Sequence, residues 1–156
     1  MIQIVTQSLT AAAPHTQRTN YSLTAAHINA SSLALLNAAS FPTLGVVCAV
    51  AIGRLKDSKE LVIDPSEEEL RDLDGGGTFA FIYQSQVDSM DMDEEGESQS
   101  RPTLSGRLVW SSWMALPFEE NDLTLGTALA EEACRKVWVE IKNAVARTID
   151  RSNPSQ

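Results

Sequence analysis

Acidic side chains supply most of the reactive groups in this sequence. Between Asp64 and Asp74 stand Glu67, Glu68, Glu69 and Asp72, a density that could bind a divalent cation or form a general acid–base pair. Such a pair needs two environments that hold its pKa values apart, whereas a run of like charges usually faces water. A solvated acidic connection is the expectation. Further on, Asp91-x-Asp93-x-Glu95-Gly96 reproduces the first half of a calcium loop. The twelfth position is Pro102, where calcium requires a bidentate glutamate, so an acidic loop repelled from nucleic acid or docking a basic partner is expected. Cys48 and Cys134 have no metal-ligand spacing to each other or to His15 or His27. They are expected to be buried, reduced thiols, and His27 to make a structural hydrogen bond. The residues suggest no nucleophilic triad, no metal site and no cofactor.

The elements that position these groups follow from periodicity. Ile2–Gln7 reads as a strand and residues 8–21, interrupted by Pro14, as an insertion. Residues 22–39 form a helix with Ala25, Ile28, Leu33 and Leu36 roughly on one face, ended by Phe41-Pro42. Leu44–Leu55 is a strand apolar on both faces, as expected of a covered central strand. Val46, Cys48, Val50 and Ile52 share one face; Val47, Ala49, Ala51 and Gly53 form a smaller one that a helix could approach closely. Glu60–Asp64 returns as a hairpin partner, Thr78–Gln84 and Leu104–Leu116 are strands, and residues 88–101 are an acidic inserted loop. Trp110 and Trp113 are three apart on a strand and so face opposite sides, with at least one exposed or in an interface. A long amphipathic helix spans residues 119–149, with Gly126 as its weak point, and residues 151–156 form a flexible tail.

At 156 residues the chain is expected to be one domain, residues 1–150, able to bury roughly 70% of its unfolded surface. The net charge of −9 argues against a protein that grips nucleic acid mainly by itself. No apolar run reaches the ~20 residues of a membrane span, and the N-terminus lacks the pattern of a signal peptide. The glycosylation-like triplets at Asn20 and Asn29 are therefore read as chance matches.

From Ala25 to Leu70 the order is small-residue helix, apolar strand G-V-V-C-A-V-A-I-G-R-L and hairpin partner E-L-V-I-D-P-S-E-E-E-L. This run resembles the second half of the RNase PH fold, the unit of phosphorolytic exoribonucleases and of the RNA exosome ring. The resemblance implies an α/β fold like the C-terminal half of that domain, a mixed β-sheet with packed helices. The domain's first half is expected to be absent, either because the sequence is a fragment or shortened gene model, the preferred reading, or because the half has been lost. Phosphorolytic members hold phosphate with a G-T-R-T segment before the helix; its arginine would fall on Thr24 in S-L-T-A-A-H, with only Arg18 upstream. Their two catalytic aspartates would fall on Leu70 and Gly76, counted from Asp64. The resemblance is thus to a ring-building, non-catalytic member, with no catalytic residue assigned. It implies as partners other RNase PH-like exosome subunits and cap proteins, with RNA threaded through the assembled channel, and no membrane. It also implies a place in rRNA maturation and RNA turnover, in nucleus, nucleolus and cytoplasm. Arg54, Lys56 and Lys59 are either ordinary turn residues or a channel rim. The alternatives are an active phosphorolytic nuclease with displaced carboxylates and a free-standing protein-binding module.

Overall fold

The computed structural model describes residues 2–9, 20–39, 42–84 and 106–152. Helix α1 spans Asn20–Ala38, followed by strands β1 (Val46–Leu55) and β2 (Leu61–Ile63) and a 3₁₀ turn at Glu69–Asp72. Strands β3 (Leu73–Tyr83) and β4 (Arg107–Ala115) lead to helix α2 (Glu120–Ser152). The strands form one four-stranded sheet in the order β2-β1-β3-β4, and every pairing is antiparallel. The chain is therefore α/β, with one helix on each face of the sheet.

The two faces of β1 explain this layering. Cys48, Val50 and Ile52 join Phe79, Phe81 and Tyr83 of β3 beneath Ala130, Ala133, Cys134 and Ile141 of α2, in one buried cluster. Bulky side chains on the sheet meet small ones on the helix, which lets α2 settle close while apolar area leaves water at about 25 cal/mol per Å². The Tyr83 hydroxyl donates to the Glu131 carbonyl at 3.1 Å, so the polar tip of this buried ring is satisfied. On the opposite face, Ala25 of α1 packs against Ala49 and Ala80. The small-residue face expected for β1 is the one α1 uses.

Helix α1 does more than pack. β2 is only three residues long, and its last pair with β1 is Ile63 opposite Ile52. Past that point the outer backbone groups of β1 need other partners. The Asp64 amide donates to the Ala51 carbonyl at 2.8 Å. The Asn29 side chain then both donates to the Ala49 carbonyl and accepts from its amide, each at 2.8 Å. The Ser32 hydroxyl donates to the Val47 carbonyl at 2.6 Å. Polar residues of the helix thus continue the ladder where the strand stops and protect the edge. Asn29, the residue of a glycosylation-like triplet, is committed to this role.

Strand β3 starts five residues earlier than the pattern predicts, because Leu73–Gly77 pairs as strand where an acidic connection is expected. Its glycines are the reason. A Cβ on Gly76 would sit 2.7 Å from the Ile52 carbonyl oxygen, and one on Gly77 would sit 2.0 Å from that of Ser112. The bare backbone lets β1 and β4 close in from either side, a tertiary gain that β propensity does not register.

The expected strand at Ile2–Gln7 does not form: these residues join no ladder, and Val5 is 79% exposed. Alternating apolar residues become a strand only where a neighbour can pair with them. Helix α1 begins within the predicted insertion, at Asn20, and α2 continues through Ser152 into the predicted tail. Residues 10–19, the acidic insertion at 88–101 and the final residues 153–156 lie outside the described residues. No helix among the described residues is long and apolar enough to cross a membrane.

Gly126 gives a direct check on the packing of α2. A Cβ there would meet Trp113 at 3.6 Å and Phe79 at 3.7 Å, ordinary contact distances, and its φ is not positive. Gly126→Ala is expected to stabilise the protein by about 1 kcal/mol, raising Tm by roughly 2–4 °C in a chain of this size. Thermal unfolding followed by circular dichroism measures it.

Candidate functional site

The positions that matter for phosphorolytic chemistry can be placed one by one. Thr24, in the place of the phosphate-binding arginine, lies half-buried on α1. It borders a shallow 400 Å³ depression with His27, Ser31, Ser32 and Val47, and among the described residues neither lysine nor arginine lines it. Arg18 and His15 lie outside the described residues, as do Asp91, Asp93, Glu95 and Pro102. Leu70 is half-buried in the 3₁₀ turn, and Gly76 is buried in β3, where the Ile52 carbonyl leaves no room for a side chain. Neither place offers a carboxylate.

Glu67, Glu68, Glu69 and Asp72 are exposed, as expected of a solvated acidic run. Glu69 has a local task. Its carboxylate accepts from the Ser66 amide at 2.7 Å while the Ser66 hydroxyl accepts from the Glu69 amide at 3.4 Å, a capping-box pattern. The bond from the Ser66 amide, followed by that from its hydroxyl, holds the Glu69 carboxyl below its ordinary range.

Asp74 departs from that expectation, and Arg54 departs from its assignment to a turn or rim. Arg54 is fully buried. It continues the two-residue period of the α2-facing side of β1 after Ile52, and it pairs with Gly75, which leaves the space above the neighbouring strand empty. The guanidinium Nε donates to Asp74 at 2.7 Å and Nη1 donates to Asp122 at 2.5 Å. Lys59 bonds the second oxygen of Asp74 from the hairpin. Four charges therefore join the β1–β2 hairpin, the start of β3 and the first turn of α2. The hydrogen bond to Asp74 does most to raise the Arg54 pKa, against the opposing effect of burial. Burial pushes the Asp74 carboxyl upward, but the bonds from Arg54 and Lys59 outweigh it and hold the group below its ordinary value.

This cluster is the principal polar feature that pattern reading misses. The signal was an arginine in phase with three buried residues of an apolar strand, which demands buried carboxylate partners. With its guanidinium sealed and neutralised on two sides, the arrangement clamps the start of α2 onto the sheet. Of its four charged side chains only Lys59 is largely open to water.

The thiols are equally withdrawn. Cys48 and Cys134 are free and buried, and the Cys134 thiol donates to the Cys48 carbonyl at 3.4 Å. Desolvation pushes the Cys48 pKa to about 11 and that of Cys134 to about 12, so neither supplies a thiolate at neutral pH. Among the described residues, no group of three or more His, Cys, Asp or Glu side chains is placed to hold a metal ion.

What the molecule presents instead is an apolar edge. Trp113 turns under α2 and tilts against Phe79, with ring centroids 5.9 Å apart. Trp110, paired with Ala80, lies on the other face and is 44% exposed, so the two rings face opposite sides as their spacing predicts. Met114 shares the face of Trp110 and is 62% exposed; Leu108 and Val109 are also exposed. Helix α1 covers β1 and β3 but not this strip, and β4 ends the sheet with its outer edge unpaired among the described residues.

No protein-family model matches the chain, and no curated protein is significantly similar to it.

Proposed function

We propose that this chain is an architectural, non-catalytic subunit of a ring of RNase PH-like proteins, that of the RNA exosome, and within it of the component-five type. The observation that carries the reading is the outer strand β4: Trp110 and Met114 are exposed on one face, and Leu108, paired with Phe81 beyond a bulge, is exposed on the other, with no covering element over them among the described residues. An unpaired edge with an apolar face is the kind of surface that subunit contact buries. The run from Ala25 to Leu70 supplies the family resemblance. Thr24, Leu70 and Gly76 support the loss of catalysis, because the first lacks the guanidinium that would hold the attacking phosphate and the other two lack a carboxylate. In this role the chain supports 3′–5′ RNA processing and degradation, including rRNA maturation, in nucleolus, nucleus and cytoplasm, while RNA passes through a channel built by the subunits together.

Affinity purification of the tagged chain from its own cells tests the proposal. The expected result is recovery of other RNase PH-like subunits together with a hydrolytic nuclease, lost on Trp110→Asp/Met114→Asp. Recovery of the chain alone sinks the ring reading and leaves the free-standing module. Phosphate-dependent release of nucleoside diphosphates from RNA by the purified chain would instead establish an active phosphorolytic enzyme.

A further inference from the structure

At the sheet edge opposite β4, a groove runs between the C-terminal halves of α1 and α2. It exists because β2 stops at Ile63, so that among the described residues no strand lies outside β1 where the two helices come round from opposite faces. The groove comprises a space of about 860 Å³ and a second of about 430 Å³ that share Leu33 and Ala144. Leu33, Leu36, Val139, Ile141 and Val145 make its walls apolar. Leu33 is 39% and Val139 42% exposed. Residues 29 to 39 of the α1 segment border it, about 15 Å of helix at 1.5 Å per residue.

Its charge is the reverse of the chain's. The whole sequence carries 21 acidic against 12 basic residues. The groove is bordered by Arg135, Lys136 and Arg147 against Glu140; Lys136 also pairs with Glu132 at 3.2 Å, which leaves Arg135 and Arg147 as the main positive charges on the border. We propose that this groove docks an amphipathic helix of a partner protein whose apolar stripe is flanked by acidic residues. About three turns of helix fill its length, and the basic border matches acidic flanks.

The structure also discriminates against other occupants. An added strand would need free backbone groups on β1, but Asn29 and Ser32 already bond those at Ala49 and Val47. A second copy related by two-fold symmetry would bring one basic border against the other. The inference does not rest on the ring reading, since the groove and β4 lie at opposite edges of the sheet.

The test uses the full chain and a fluorescein-labelled synthetic helix of about 15 residues, with leucines at i, i+3, i+4 and i+7 and glutamates on both flanks. A matched peptide carries lysines on the flanks. Fluorescence anisotropy is expected to show the Glu-flanked peptide binding at least ~10-fold more tightly, with the difference shrinking at high salt. Arg135→Glu/Arg147→Glu should weaken it by a similar factor and Glu140→Lys should tighten it; these positions are exposed, and circular dichroism checks that the fold is kept. Leu33→Asp, on the groove wall, should abolish binding. Equal affinity for both peptides, or no measurable binding of the Glu-flanked one, overturns the proposal. So does a dimer in sedimentation that Leu33→Asp disperses, which would make a second copy the occupant.

Discussion

Asp74→Ala is expected to lower the unfolding free energy by about 3–5 kcal/mol, the cost of removing one partner from a buried ion pair. The guanidinium of Arg54 has no exposure to water. Without Asp74 its Nε–H loses its acceptor, and only Asp122 remains to balance the charge. Arg54→Met is expected to cost less, although it deletes the centre of the cluster. An unbranched apolar chain of similar volume removes the buried charge itself. Asp74 then keeps Lys59, and both carboxylates retain some water, at 13% and 14% side-chain exposure. Urea unfolding of the two variants gives the order; Arg54→Met equal to or worse than Asp74→Ala would contradict it.

The pH dependence has a definite sign. The Asp74 pKa is lower in the folded chain than its ordinary value. Its ionised form therefore contributes stability above the unfolded value of about 3.9, and that contribution is lost as pH falls through the folded pKa. The stability gap between the native chain and Asp74→Ala should be constant near neutrality and narrow below about pH 4.

Gly77→Ala is the second large effect. Its Cβ would lie 2.0 Å from the Ser112 carbonyl oxygen and 2.9 Å from the Trp113 Cα. Both are backbone atoms of β4, so no rotamer change relieves the overlap, and β3 and β4 must separate where they pair. The expected loss is about 3 kcal/mol or more, at the upper end for overpacking. It corresponds to roughly 6–12 °C in Tm. Hydrogen exchange should show the added opening concentrated in β4, because β1 meets β3 on its other side. A change below about 0.5 kcal/mol, typical of a surface substitution, would mean that the strands are not in close contact there.

What the sequence determines by itself is what local period and side-chain size encode. The division of β1 into a bulky face and a small face, the helices that cover them, and the opposite orientation of Trp110 and Trp113 all follow from alternation along a strand. The burial of Cys48 and Cys134 follows from the apolar elements that carry them. The non-catalytic expectation also rests on identity: Thr24, Leu70 and Gly76 lack the necessary groups wherever they lie.

Tertiary structure decided the rest, through contacts between residues far apart in the chain. Leu73–Gly77 becomes strand because glycine admits two neighbours closely, whereas Ile2–Gln7 has strand-like alternation but joins no ladder. Asp74 reads as the end of an acidic connection and Asp122 lies 48 residues further on, until Arg54 brings both to one guanidinium. Asn29 and Ser32 read as polar helix residues, yet they complete the edge of β1. The groove beside them exists only because β2 is three residues long. No periodicity within α1 or α2 encodes the space between them, because its shape depends on where a different element ends.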